Sequence, residues 1–257
     1  MLPLRLIPFS IQPATYNMAA DEFMLSCPGS CLRFYGWSRP TLSFGRMGSD
    51  LTEIDLDACA QYQIELVRRL TGGKTVLHHY ELTYAISSDN SLFSDSILQT
   101  YRMISQPLSA SLMQFGIPAS IMPQPRTRSK TSICFREIST YEIAVHQKKL
   151  VGSAQYRRSK RFLQHGSILI DLDWTLWKKI WKLPPQSTLL EDRITTIQQE
   201  TRRPFDREEF MTHFTRGLAE QLNTTAIEKD FTPEENAEIT ELSGNYAWKS
   251  EYQERKN

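Results

Sequence analysis

The sequence is poor in the residues that define specialised protein classes. Cysteine occurs four times, glycine 11 times and proline 13 times in 257 residues, too rarely for a disulfide scaffold, a collagen-like chain or a low-complexity segment. Its apolar runs, such as residues 167–172, fall far short of the roughly 20 residues that span a bilayer. We therefore expect no membrane partner, and the 40% of hydrophobic residues favours a globular chain with a proper core.

The amino terminus and the cysteines point to a reducing compartment. The first residues, MLPLRLIPFSIQPA, contain no sustained apolar stretch followed by a small-residue cleavage site, so no export signal is expected. Cys27, Cys31, Cys59 and Cys134 are then expected to be reduced thiols of a cytoplasmic protein. Cys27 and Cys31 have the spacing of half a zinc site, but no second Cys or His pair follows at ligand spacing. We expect no metal.

Positive charge is concentrated in the middle of the chain. Between Arg126 and Arg161, ten lysine and arginine residues stand against two acidic ones, although the net charge of the whole chain is +1. Such a block either attracts an acidic partner from a distance or is a solvated face. Neither an RNA-binding aromatic signature nor a helix-turn-helix pattern accompanies it, so no nucleic-acid partner is expected.

Short runs rich in β-branched and aromatic residues alternate irregularly with segments of helical periodicity. The runs predict strands at residues 4–8, 31–36, 41–44, 65–69, 75–87, 141–146, 149–156 and 162–172. The helical segments are residues 17–25 with Asn17 as N-cap, 56–62, 95–115, 174–181, 205–222 and 233–252. Because the strands and helices do not alternate regularly, we expect an α+β fold with a mixed or antiparallel sheet covered by helices.

The chain shows no internal boundary that would separate two domains. Residues 1–257 are therefore expected to form a single domain, with a polar helical tail from about residue 185 to 257 packed against the main body. Residues 117–132 lack periodicity and contain three prolines. They are expected to form an exposed loop that leads to Cys134.

The segment that begins at Arg68, RRLTGGKTVLH, combines paired glycines with basic residues. Gly72 and Gly73 let backbone N–H groups approach a ligand closely, and the flanking Arg69 and Lys74 add positive charge. Two glycines alone would be typical of a plain hairpin, and the basic residues around them favour a ligand-binding role instead. The segment is not a P-loop, because the spacing of that motif is missing. The segment is therefore predicted to be a binding loop.

Two further segments, KLVGSAQ from Lys149 and LQHGSILI from Leu163, are predicted to be paired strands that line a pocket. Leu150 and Val151 flank Lys149 and would desolvate its ammonium group, which favours loss of its proton. Taken alone, such a lysine is more often a surface residue. The histidine of the second segment, His165, is either a pocket residue or a structural one.

Together these segments resemble the lipoate-protein ligase and octanoyltransferase superfamily, which is related in fold to the biotin protein ligases. The resemblance extends from about Cys31 to Asp173. RFYGWSRPTLSFGR from Arg33 is similar to the family's Tyr-x-Trp-x-x-Pro-x-x-Ser-x-Gly strand pair, and RRLTGGKTVLH is similar to its Arg-Arg-x-[ST]-Gly-Gly loop. KLVGSAQ places the family lysine on Lys149. The resemblance implies the catalytic-domain fold of the biotin and lipoate protein ligases.

Two chemistries occur in this superfamily, and the sequence departs from one of them. ATP-dependent ligases generally have a third glycine in the loop and an Asn-Asp pair before the lysine strand. Here Lys74 occupies the place of the third glycine, and the sequence SICF around Cys134 occupies the place of the Asn-Asp pair. The sequence resembles instead the cysteine-dependent octanoyltransferases, and this resemblance implies that Cys134 is the acyl-carrying nucleophile and that Lys149 assists it.

The same resemblance implies a substrate pair and a set of binding residues. The donor would be octanoyl-acyl carrier protein, and the acceptor a lipoyl domain such as the glycine cleavage H protein or the acyltransferase subunit of a 2-oxoacid dehydrogenase, with no cofactor. The implied substrate-binding residues are Arg69, Thr71, Gly72, Gly73, His78, Gly152, Ser153, Ala154 and His165. The open alternatives are an ATP- and Mg-dependent ligase, an amidotransferase between two lipoyl domains, and a non-catalytic module that binds acylated proteins.

Overall fold

The structure, a computed structural model, describes residues 2–47, 51–122, 142–182, 192–201 and 204–248. Eleven strands lie in these ranges: β1 Leu4–Gln12, β2 Cys31–Trp37, β3 Thr41–Phe44, β4 Glu65–Arg68, β5 Val76–His78, β6 Glu81–Asp89, β7 Ser120–Ile121, β8 Ile143–Val145, β9 Lys148–Arg158, β10 Arg161–Leu169 and β11 Ala226–Glu228. They form an eight-stranded sheet, in the order β11-β1-β2-β6-β10-β9-β8-β7, and a three-stranded sheet, β4-β3-β5.

Both sheets are mixed. In the large sheet β1 runs parallel to β2 and β11, and the pairs from β2 across to β7 are antiparallel. In the small sheet β3 runs parallel to β4 and antiparallel to β5. Together with the helices, these sheets confirm the α+β class that the irregular alternation of strands and helices predicts.

Eight α-helices lie within the described ranges. They are α1 Ala14–Phe23, α2 Leu56–Gln61, α3 Asn90–Phe93, α4 Ile97–Gln114, α5 Trp174–Ile180, α6 Ile197–Glu200, α7 Arg207–Gln221 and α8 Pro233–Ser243. Alternate residues of β2 point to opposite faces of the large sheet. Phe34 packs in a cluster with α4 and α7, and Tyr35 packs in a second cluster with α1 and α8. The large sheet is therefore buried between two helical layers.

The predicted strand over residues 75–87 is two strands that belong to different sheets. β5 ends at His78, and β6 begins at Glu81. The chain turns at His79 and Tyr80, where the N–H of Glu81 donates to the carbonyl of His79 at 2.8 Å. This turn joins the two sheets and places His78 beside Glu81.

The predicted N-cap at Asn17 is wrong. α1 begins at Ala14 and is preceded by Pro13, whose fixed φ suits a helix start. Asn17 lies inside the helix and is fully buried. Its side chain donates to the carbonyl of Gly36 at 3.1 Å and accepts from Arg33 Nη2 at 2.6 Å, so tertiary partners use the groups that a cap would use.

The C-terminal part of the chain packs on both helical layers, with α7 against α4 and α8 against α1. β11 adds a parallel strand at the edge of the large sheet; the sequence does not predict it because its three residues are all exposed and lack an alternating pattern. The helix predicted over residues 233–252 ends earlier, at Ser243, and a single 3₁₀ turn follows. Within the described ranges, no helix combines the length and the apolar content needed to cross a membrane.

Phe214 tests how far α7 contributes to the fold. Its buried ring lies 5.7 Å from the rings of both Phe34 and Tyr84 on the large sheet. We expect Phe214→Ala to lower the free energy of unfolding by about 3–5 kcal/mol in urea titrations, because the substitution leaves a cavity. The control is Met113→Ala at a residue that is 60% exposed, which should change it by less than about 0.5 kcal/mol. A loss below about 1 kcal/mol in Phe214→Ala would contradict the packing described.

Candidate active site

A cavity of about 280 Å³ lies where the two sheets meet. Its floor is made by short side chains on three adjacent strands: Thr83 of β6 pairs with Ser167 of β10, which pairs with Gly152 of β9. Larger side chains in this row would fill the space above the sheet. The aromatic rings of Tyr35 and Trp37 form one wall. The result is a narrow, largely apolar groove.

The structure places most of the sequence-predicted binding residues around this cavity. Seven of the nine line it: Arg69, Gly73, His78, Gly152, Ser153, Ala154 and His165. The other two, Thr71 and Gly72, lie in the same loop as Arg69 and Gly73. Gly166 also lines the cavity, and it must be glycine because a Cβ there would lie 2.5 Å from the ring of Tyr84 and 2.6 Å from Ser153 Oγ.

The glycine loop between β4 and β5 is held by the guanidinium group of Arg69. Its Nη2 donates to the carbonyls of Gly72 at 3.0 Å and Lys74 at 2.7 Å, and its Nη1 donates to the carbonyl of Ser43 on β3 at 2.8 Å. Gly73 adopts a φ of 96°, which glycine tolerates without strain. Arg69 thus binds the backbone of the loop and also lines the cavity, and its part in substrate binding stays a prediction.

Two hydroxyl groups connect Arg69 to the two histidines of the cavity. Thr71 Oγ1 accepts from Arg69 Nε at 3.1 Å and lies 2.7 Å from His165 Nε2. Ser43 Oγ accepts from Arg69 Nη1 at 3.0 Å and lies 2.7 Å from His78 Nε2. Because each hydroxyl oxygen already accepts from the guanidinium, its own proton is available for the imidazole nitrogen.

The other nitrogen of each imidazole faces a carboxylate. His165 Nδ1 is 2.9 Å from Asp21 Oδ2, and His78 Nδ1 is 2.8 Å from Glu81 Oε1. A carboxylate only accepts, so in both rings Nδ1 carries the proton and Nε2 accepts. Burial lowers the pKa of His165, against the opposing effect of Asp21. Both histidines are pocket residues and structural residues at once, since both nitrogens of each ring are occupied.

The two carboxylates are themselves held by several donors that sequence reasoning missed. Asp21 accepts from the Tyr35 hydroxyl at 3.0 Å and lies 3.6 Å from the buried guanidinium of Arg33. Glu81 Oε1 is the acceptor for three further donor groups, from Trp37, Thr83 and Ser167. Buried carboxylates need such partners. Only the buried positions of these acids in otherwise apolar segments could have indicated them.

Lys149 lies in β9, is fully buried, and donates from Nζ to Glu142 Oε1 at 2.5 Å. The flanking apolar residues predict the burial, but the sequence does not predict the acidic partner. Glu142 lines the cavity, whereas Lys149 lies behind it. The paired carboxylate offsets the cost of burying the ammonium group. The strand is fixed further by the N–H of Lys149, which donates to the carbonyl of Arg193 at 2.7 Å.

The predicted nucleophile, Cys134, lies outside the described residues, and so do the basic residues from Arg126 to Arg136. The described cysteines, Cys27, Cys31 and Cys59, are free thiols and buried. Burial raises the pKa of Cys59 to about 11, which disfavours a reactive thiolate. Among the residues that the structure describes, His, Cys, Asp and Glu form no group able to hold a metal ion.

The described part of the basic block does not form one solvated face. Arg157 donates to the carbonyls of Ser94 and Asp95, both at 2.9 Å. Arg161 donates to the carbonyl of Gly29 at 2.8 Å. These two arginines connect the ends of β9 and β10 to neighbouring loops, so part of the described charge in this stretch has a structural use, whereas Arg158 and Lys160 are exposed.

Comparison with known proteins agrees with the sequence resemblance. The family model of the lipoyl protein ligase A/B catalytic domain matches residues 13–219. An octanoyltransferase LipM of Symbiobacterium thermophilum is 35% identical over 255 residues, which cover 93% of each chain. Another, of Clostridioides difficile, is 35% identical over 90% of this chain and 91% of that one. The crystal structure of a lipoate-protein ligase A bound with ATP is similar in fold, with 22% identity, a TM-score of 0.78 and 95% coverage of each chain.

The hydrogen bonds of Arg69 can be tested independently of any activity. In Arg69→Lys, a single ammonium group cannot reach the four residues that the planar guanidinium bridges. We expect amide hydrogen exchange at residues 71–74 to accelerate at least about tenfold, corresponding to about 1.4 kcal/mol of lost protection. Arg102→Lys, on the exposed side of α4, is the matched control and should leave exchange unchanged. Wild-type protection in Arg69→Lys would show that the loop is held by other contacts.

Proposed function

The chain belongs to the lipoyl protein ligase A/B catalytic domain family, and from this we propose that it moves an octanoyl group from acyl carrier protein, through a thioester on Cys134, to the lysine of a lipoyl domain. It is an acyltransferase of protein lipoylation, as its octanoyltransferase relatives are by name. The donor, the acceptor and the cysteine intermediate are parts of the proposal. So are a single catalytic domain that includes the C-terminal helices and a cytoplasmic location.

The observation that carries the proposal is the shape of the cavity between the two sheets. At about 280 Å³, with a floor of small side chains and an aromatic wall, it suits a saturated eight-carbon chain. Burial of such a chain contributes roughly 0.8 kcal/mol per CH₂. The two hydrogen-bonded histidines give the cavity a polar part of its lining, and the buried pair of Glu142 and Lys149 reaches the cavity through Glu142.

In the first step the Cys134 thiolate attacks the thioester carbonyl. The bond from Cys134 sulfur to the carbonyl carbon forms, the bond to the donor sulfur breaks, and the donor leaves as a thiolate that takes up a proton. Glu142 is eight residues from Cys134 along the chain, which limits their separation to about 29 Å. A thiolate suits this exchange because it replaces one thioester with another of similar energy.

In the second step the neutral lysine amine of the acceptor attacks the acyl-Cys134 carbonyl. The new C–N bond forms, the bond to Cys134 sulfur breaks, and the thiolate is regenerated. The proton lost by the amine is accepted by the carboxylate of Glu142, which lines the cavity and is held in place by the ammonium group of Lys149. No cofactor is part of the proposal, because the donor thioester is already activated and needs no ATP.

Cys134→Ser tests the covalent intermediate. After incubation with octanoyl-acyl carrier protein, intact mass spectrometry of the wild-type protein should show one octanoyl adduct that maps to Cys134. The variant should lose the stable adduct and lower kcat for transfer to an apo lipoyl domain at least about a hundredfold, since serine is the weaker nucleophile at neutral pH. Cys59→Ala should keep both. Full turnover in Cys134→Ser would remove the thioester step, and octanoylation that consumes ATP would favour the ligase alternative.

Lys149→Met tests the buried pair. This substitution keeps the length of the side chain but removes the charge, so we combine it with Glu142→Gln to avoid an unpaired buried carboxylate. Lys149→Met alone and Glu142→Gln alone should each lower kcat at least about a hundredfold. The double variant should recover stability toward urea without recovering activity. The neighbouring Lys148→Ala is the control. A folded Lys149→Met protein with wild-type kcat would show that the lysine has no part in the transfer.

A further inference from the structure

A second cavity, of about 660 Å³, adjoins the first, and Arg69 lines both. Besides Arg69, its walls include two further arginines, Arg46 and Arg68, and the aromatic residues Tyr156, Tyr246 and Trp248. We call this cavity the arginine groove. The groove therefore lies against the same glycine loop that walls the acyl cavity. Nothing in the transfer chemistry described above uses it.

The guanidinium groups of Arg46 and Arg68 are available for a ligand, whereas that of Arg69 binds the glycine loop. The guanidinium carbon of Arg46 lies 5.1 Å from the ring centre of Tyr156, and that of Arg68 lies 5.8 Å from the ring centre of Trp248. Among the described residues neither makes an ion pair, and the hydrogen bond of the Arg68 side chain is to the carbonyl of Gly45 at 3.3 Å. Their remaining N–H groups can donate.

One carboxylate also lines the groove, and its charge is already engaged. Glu22 accepts from the hydroxyl of Tyr246 at 2.7 Å and lies 3.8 Å from Arg158. The two arginines therefore keep a net positive character at the groove. Within the described ranges it is lined by no other acidic residue.

The fold fixes both arginines at one edge of the small sheet. β3 and β4 run parallel in a register that pairs Phe44 with Arg68. The carboxyl ends of the two strands therefore meet at that edge of the small sheet. Arg46 lies two residues after the end of β3. The N–H of Arg46 donates to the carbonyl of Thr71 at 2.9 Å. Gly45 lies so close to the loop that a Cβ there would be 2.0 Å from the carbonyl oxygen of Gly73. The groove and the loop thus form one rigid unit.

Paired guanidinium groups with free donors and aromatic support are suited to a phosphate group. We propose that the arginine groove binds the phosphodiester of the 4′-phosphopantetheine arm of the acyl donor while the thioester end of the arm enters the acyl cavity. This inference rests on the proposed function and deepens it, because it selects among donors. An octanoylated lipoyl domain carries no phosphate, so a phosphate site makes the phosphopantetheine thioester the donor class.

The experiment compares two donors that differ only in the phosphate, octanoyl-4′-phosphopantetheine and octanoyl-pantetheine. The rate of acyl-Cys134 formation is measured for each by mass spectrometry. We expect kcat/KM of the wild-type protein to be at least about tenfold higher for the phosphorylated donor, with the difference in KM. In Arg46→Gln/Arg68→Gln this ratio should fall to about one. Arg46→Gln alone should lower it partly; among the described residues the Arg46 guanidinium lies over the ring of Tyr156 and makes no hydrogen bond to the glycine loop. Arg102→Gln is the control.

The outcomes separate the groove from the proposed function. A wild-type ratio near one, or a high ratio that the variants leave unchanged, overturns the phosphate site while acyl-Cys134 still forms. Variants that slow intact octanoyl-acyl carrier protein but keep the ratio for the small donors overturn it in favour of a docking surface for acidic side chains. A third outcome is that neither the small donors nor octanoyl-acyl carrier protein acylates Cys134, while octanoate and ATP support transfer. This outcome rejects the proposed function and assigns the groove to nucleotide phosphates.

Discussion

The guanidinium group of Arg69 is the contact on which the site depends. It binds the backbone of the glycine loop and, through Ser43 and Thr71, sets the proton positions of His78 and His165. Because arginine stays charged at every physiological pH, the donors that Arg69 offers to the loop and to the two hydroxyl groups do not vary with pH. The loop, both histidines and the two carboxylates behind them therefore form one hydrogen-bonded network, and removal of any member leaves buried donors or acceptors without partners.

The same network explains how so many charges are buried beside a largely apolar cavity. Arg33 faces Asp21, and Lys149 faces Glu142, so these two buried positive groups each have an acidic partner, whereas the buried guanidinium of Arg69 donates to carbonyl and hydroxyl oxygens. Buried ion pairs contribute little net stability, and a purely apolar core would stabilise the fold as well. Their value lies in orientation. They hold acceptors and donors at fixed places around the space that the octanoyl chain is proposed to occupy, which is what acyl transfer needs.

Much of the fold follows from local patterns, and the exceptions have physical causes. The alternation in residues 41–44 and 149–156 locates β3 and part of β9, but the apolar run over residues 75–87 conceals a turn at His79 and Tyr80 that lacks glycine and proline. The binding residues could be placed because they belong to contiguous motifs. Glu142, Glu81 and Asp21 could not, since their roles arise only where separate strands and α1 meet. The role of Cys134 stays a prediction.

The turn between β5 and β6 constrains how a substrate reaches the floor of the acyl cavity between the two sheets. It is one of the covalent links between the two sheets, as is the short segment from β2 to β3. The side chains of His78 and Glu81, on either side of the turn, are in contact at 2.8 Å. Moving the small sheet away from the large one to admit the octanoyl chain would break the contact between His78 and Glu81 at the cost of that hydrogen bond, although Glu81 would keep its donors on the large sheet. Entry of the octanoyl chain with its methyl end first and parallel to the strands would leave that hydrogen bond intact.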